Sequence, residues 1–188
     1  MSRSQIVVAA MLVTALTGCG ASSHPKPATT GVTSGKVVVQ EFDMTETVVA
    51  SYNAPTSGFG VQIAESVAAQ LGRRGLEAET IPQGSPQNTA PVEGLRVEGR
   101  IMRVDGGSRA ARYLVGFGAG SAGVAAAGRV VDGNGTTIGE FSASRTASIG
   151  VFGGNTVAIV RKCTEAVARD IASMIVTGQY RDPLKDRK

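Results

Sequence analysis

Two long runs of alternating residues flank Asp132-Gly133-Asn134-Gly135, and this stretch constrains the fold more than any other. Glycine and asparagine tolerate positive φ, so the tetrapeptide is a hairpin turn, and the arms 123–131 and 136–149 must form an antiparallel pair. The second arm places Phe141, Ala143, Ala147 and Ile149 on one face and Glu140, Ser142, Ser144 and Thr146 on the other. Residues 95–104 repeat the pattern, with Leu95, Val97, Gly99 and Ile101 opposite Arg96, Glu98, Arg100 and Met102. Period-two alternation of this kind describes a sheet covered on one face only.

Two helices supply the cover. Phe59, Ile63, Val67 and Leu71 recur every four residues within 58–75, with Ala64 and Ala68 beside them. Arg73, Arg74 and Gly75 end that stretch as a helix stop. Asn155 is placed to cap a second helix running to about Val176, with Val160, Val167, Ile171, Met174 and Ile175 as its apolar stripe. Residues 36–42 read as a β-branched strand, 76–81 as a short strand, 43–57 as a long connection and 82–91 as a proline-rich loop. The expected fold is therefore α+β: a mostly antiparallel sheet of about four strands with both helices packed on one face, forming a single domain over 36–178.

The amino terminus belongs to a different regime. Arg3 is followed by an eleven-residue apolar run, Ile6 to Leu16, and then Thr17-Gly18-Cys19. That run is too short to cross a bilayer as a helix, which takes about 20 residues, but long enough for the core of a signal peptide. Leu16 through Cys19 resembles the lipobox of bacterial lipoproteins. The resemblance implies a signal peptide over 1–18 and lipidation of Cys19, whose acyl chains hold the mature chain to a membrane. Residues 19–35 are rich in Ser, Thr, Pro, Gly and Ala and form a tether. Residues 179–188 are a polar tail. Gly20 follows the cysteine where an aspartate typically retains such proteins at the inner membrane, so the periplasmic face of the outer membrane is the expected location.

Composition narrows the chemistry. The chain carries 19 basic and 15 acidic residues, a formal charge of +4, and no basic stripe interleaved with aromatics, so nucleic acid is not an expected partner. Of the two cysteines, Cys19 is taken by lipid and Cys163 falls on the core edge of the second helix, as an inert thiol. The only histidine, His24, stands in the tether with no partners for acid–base work. Gly118, Gly120 and Gly123 match a dinucleotide-binding pattern, with Glu140 at about the expected distance. That pattern requires a helix straight after the glycines, and the hairpin follows instead. No cofactor and no metal site is expected, and no catalytic residue stands out.

The segment between the strand at 95–104 and the hairpin is where a partner is expected to be recognised. Arg109, Arg112 and Tyr113 precede Gly116, Gly118 and Gly120. Two guanidinium groups beside flexible backbone suit an anionic envelope ligand or the acidic patch of an envelope protein. The four-residue spacing of Gly116 and Gly120 also suits close packing in an oligomer or pore.

The run from Gly107 to Gly120 (GSRAARYLVGFGAG), the strand ending at Asp132, the hairpin and the Gly-Gly-Asn start of the last helix together resemble a family. It is the group of small proteobacterial lipoproteins classed as a domain of unknown function. The order of elements is also similar to TolB-like periplasmic domains and to auxiliary lipoproteins of lipid-transport systems. The resemblance implies an envelope location and a fold, and carries no catalytic residue. The expected function is non-enzymatic: a membrane-anchored binding or accessory module. Its alternatives are an oligomeric assembly or pore subunit of an envelope machine, and an enzyme of unrecognised type.

Overall fold

The computed structural model describes residues 31–32, 35–86, 93–107, 121–147 and 155–180. Cys19, His24 and the loop residues Arg109, Arg112, Tyr113, Gly116, Gly118 and Gly120 lie outside that set, as does Ile149.

The elements run β1 (Lys36–Gln40), β2 (Val48–Ala50), α1 (Phe59–Gly72), β3 (Glu77–Ile81), β4 (Leu95–Asp105), β5 (Ala122–Val131), β6 (Thr137–Ala147) and α2 (Thr156–Thr177). One six-stranded sheet follows the order β3-β1-β4-β5-β6, with β2 beside β4. The fold is α+β, as expected, but the sheet is larger and mixed. β4, β5 and β6 form the antiparallel half, whereas β1 pairs in parallel with both β3 and β4, and β2 pairs in parallel with β4. The parallel half arises because α1 is a crossover: a chain that leaves β1, runs back along a helix and re-enters the sheet must do so in the same direction. β2 was missed because it lies in the stretch read as connection.

β1 and β2 flank the same side of β4, one at each end of it. Between them the chain leaves the ladder at Glu41 and touches it again at Asp43, which bridges Arg100. The break is where Phe42 turns into the core. Its ring lies over Gly99, where an added Cβ would stand 2.6 Å from two ring atoms. Gly128 makes the corresponding room for Phe141, and the two rings meet at 6.3 Å between centroids, tilted by 43°. Glycine in the middle of a strand ordinarily weakens it, and here it admits a second layer of aromatic packing.

The hairpin forms where expected. Asp132 Oδ1 accepts from the N–H groups of Asn134 and Thr136, and only Gly135 takes positive φ, at 83°. This is a four-residue turn ended by a left-handed glycine, rather than a turn that needs every Gly and Asn to be left-handed. A register shift between Ile101 and Arg103 changes the parity of β4, so Val104 returns to the core while Met102 faces solvent.

Both helices cover the same sheet face. Phe59, Ile63, Val67 and Leu71 of α1 and Val160, Val167, Ile171, Met174 and Ile175 of α2 are all buried, in one cluster with Val37, Val39, Val97, Val104, Val130 and Phe141. Asn155 caps α2 by accepting from the Ala158 N–H at 3.2 Å, and Gly178 ends it at φ 66°. Cys163 is buried, with its sulfur 3.9 Å from the Ala122 carbonyl oxygen, and burial raises its pKa. No helix among the described residues is long and apolar enough to cross a membrane.

Candidate functional site

The break in the sheet creates a notch. β3 stops at Ile81 while β2 begins one strand position further in, so no strand among the described residues stands beside the outer edge of β2. The space left open holds about 490 Å³ and is lined by residues 41–45, Thr47 and Val49, by the chain entering α1 and by Gln83. Gly60 is part of its wall for a steric reason, because a Cβ there would strike the Phe42 carbonyl oxygen.

Its polar groups are held rather than loose. Asp43 Oδ1 accepts from both the N–H and the hydroxyl of Thr45, at 2.9 and 2.6 Å. The Thr45 hydroxyl bond, then its N–H, hold the Asp43 carboxyl below the usual carboxylate range. Glu41 accepts from the Gln83 N–H at 3.1 Å, and the Thr47 hydroxyl donates to the Ile101 carbonyl at 2.7 Å. Glu46 lies 3.5 Å from Arg100 and is 82 % exposed, so this ion pair adds little stability. Glu41 and Asp43 make the lining acidic, and β2 beside it exposes Val48 and Val49, at 55 % and 45 %. A short edge strand with two exposed valines is an associating surface by its chemistry.

A second array of charges lies on the sheet face away from the helices. Glu98 accepts from Arg96 at 2.8 Å and from Arg129 at 2.7 Å. Partial burial would raise the Glu98 pKa, but the bonds from Arg129 and Arg96 outweigh it and the net shift is downward. On the helix-covered face, Arg145 of β6 grips Asp170 of α2 with two bonds, at 2.6 and 2.8 Å. No group of three His, Cys, Asp or Glu side chains suited to a metal occurs among the described residues.

The partner-binding loop expected at Arg109, Arg112, Tyr113, Gly116, Gly118 and Gly120 lies between Gly107, just past the end of β4, and Ser121, at the start of β5. Both ends are therefore at the sheet end that carries β2 and the notch, and β5 follows Ser121 directly where a dinucleotide site would need a helix. Sequence reading did not find the notch. The one available signal was Val48-Val49, two β-branched residues inside an otherwise polar connection.

Residues 37–151 match a family described as a domain of unknown function, DUF4410. The chain belongs to that family. No curated protein sequence matches the chain significantly. Among solved structures, the PelC dodecamer from Paraburkholderia phytofirmans is similar at 12 % identity, with a TM-score of 0.53 over 81 % of this chain and 95 % of that one. Looser likenesses are a candidate neuraminyllactose-binding hemagglutinin homolog from Helicobacter pylori (12 % identity, TM-score 0.40, 85 % of this chain and 93 % of that one) and a candidate lipoprotein from Caulobacter crescentus (17 %, 0.33, 69 % and 84 %). At these identities the PelC likeness establishes a shared fold and the other two carry no argument. Nothing among them supports the TolB-like element order. The DUF4410 domain is thus a fold with a known architecture and no assigned chemistry.

Proposed function

We propose that this DUF4410 protein is a lipid-anchored accessory protein of the cell envelope that works as a homo-oligomer and not as an enzyme. The observation that carries the reading is the PelC likeness, which spans nearly all of a chain that assembles as a dodecamer. The lipobox at Leu16–Cys19 supports the anchor, and an outer-membrane, periplasm-facing location is the reading that Gly20 favours. The acidic, valine-rimmed notch supports association rather than turnover, since its carboxylates are engaged by Thr45 and Gln83 and face no base or nucleophile among the described residues.

The test is expression of the full chain in a Gram-negative host, with fractionation and mass measurement of the detergent extract. Cys19→Ser should leave an uncleaved precursor, and the wild-type extract should contain a single species several times the protomer mass. A normally cleaved, soluble Cys19→Ser protein defeats the anchor. A wild-type protomer in detergent defeats the oligomer and leaves the alternative, a monomeric module binding an anionic ligand through Arg109 and Arg112. In that case Arg109→Ala with Arg112→Ala should release the partner while shifting stability by no more than about 0.5 kcal/mol.

A further inference from the structure

The sheet has two kinds of open edge. β3 is five residues long and carries exposed Glu77 and Glu79, features that discourage another strand from joining it. β6 is eleven residues long, rich in Ser, Thr and Ala, and has no strand beside its outer edge among the described residues. The remaining open edge is β2, with its two exposed valines and the notch beside it. β6 and β2 therefore form an unprotected pair on opposite sides of one molecule.

Direction and height agree as well. β2 is parallel to β4, and β6, two antiparallel steps from β4, is parallel to it too. Across the ladder, Val48 pairs with Arg103, Arg103 with Ala125 and Ala125 with Ser144, so β2 and the end of β6 around Ser144 lie at the same level. Arg145 sits at that level on β6, its guanidinium paired with Asp170 of α2, and the notch on the opposite side is lined by Thr45, Thr47 and Val49. Strand direction and level are complementary between the two edges.

The tether selects between the ways in which two copies can meet. Val32 donates to the Ile175 carbonyl at 3.4 Å, and a Cβ on Gly31 would strike the Val176 carbonyl oxygen, so the chain enters the domain at the carboxyl end of α2. Eleven residues separate Cys19 from Gly31 and reach at most about 40 Å when fully extended. α2 alone spans about 33 Å at 1.5 Å per residue. Two copies joined β6 to β6 by a two-fold axis would be antiparallel, and one of them would need its tether drawn out along the length of the domain. Head-to-tail joining of β6 to β2 keeps every α2 end on the same side.

We propose that copies of this chain associate head to tail, with the Ser142–Ala147 end of β6 seated along β2 in the notch of the next copy. The inference rests on the homo-oligomer reading above and names its interface. Repeated around a closing rotation, such a contact gives a ring with every α2 carboxyl end on one rim and every Gly107 and Ser121 on the other.

The experiment uses the full-length lipidated chain in detergent, in a Cys163→Ala background, treated with a short bismaleimide. The variants are Val49→Cys, Ser144→Cys and the two combined, each checked for native folding by circular dichroism. The combined variant should give a ladder of cross-linked multimers, and each single variant should stay at protomer mass. Dimers from Ser144→Cys alone would show β6 meeting β6 and overturn the proposal. A combined variant that yields no ladder, although the wild type is oligomeric, overturns the interface and spares the oligomer. A wild type that runs as a protomer overturns both.

Discussion

Gly99→Ala tests the packing that creates the notch. The methyl group would press on Cε1 of Phe42 and arrive 2.6 Å from its Cδ1 and Cζ, whereas carbon atoms settle at about 3.5–4.0 Å, so the ring must retreat by roughly 1–1.5 Å. It has nowhere to go. Phe42 is 1 % exposed, and beyond it stands Phe141, itself seated over Gly128. Overpacking of this kind costs about 1–3 kcal/mol. Replacing a strand glycine by alanine recovers roughly 0.5–1 kcal/mol of backbone entropy. The expected net loss is about 1–2 kcal/mol, a fall in melting temperature of several degrees for a domain of this size. Urea unfolding of the detergent-solubilised full chain, followed by circular dichroism, measures it. The decisive comparison is a double-mutant cycle with Phe42→Leu, a smaller side chain that vacates the contested space. If the clash is the cause, the double variant should be more stable than the sum of the two single losses predicts, by about 1 kcal/mol. Additive losses would refute the steric account. Because Phe42 anchors Glu41 and Asp43 at the notch, Gly99→Ala should also reduce oligomer yield under conditions where the domain stays folded.

Two further outcomes follow from burial and charge. The Cys163 thiol, buried against Ala122 with its pKa raised, should react with maleimide only slowly until urea unfolds the domain, and rapid labelling of the folded chain would contradict its placement. Glu98 has a folded pKa below its ordinary value, so its contribution is present above the ordinary carboxylate pKa and is lost as pH falls through the depressed one. Glu98→Gln should therefore flatten the acid limb of a stability–pH profile measured between about pH 5 and 2, and an unchanged acid limb would remove Glu98 from the account.

What the sequence determined by itself was everything carried by local period and local chemistry. The stripes at 59–71 and 160–175 became buried helix faces because four-residue spacing places side chains on one side whatever they pack against. The Asp132–Gly135 turn and the Asn155 cap formed because their bonds span only a few residues. The proposed leader and lipobox rest on equally local signals in the sequence. What only tertiary structure decided was how distant segments meet. No period in residues 36–42 says that β1 lies parallel between β3 and β4, since parallel pairing is set by the α1 crossover and by contacts some forty to sixty residues apart in sequence. β2 is three residues long, too short for a period to register, and exists because β4 presents an unpaired edge beside it. The glycines at 99 and 128 look alike in sequence, as interruptions of a strand. Only the folded sheet shows that they are adjacent across β4 and β5, where two phenylalanines occupy the space their missing side chains leave.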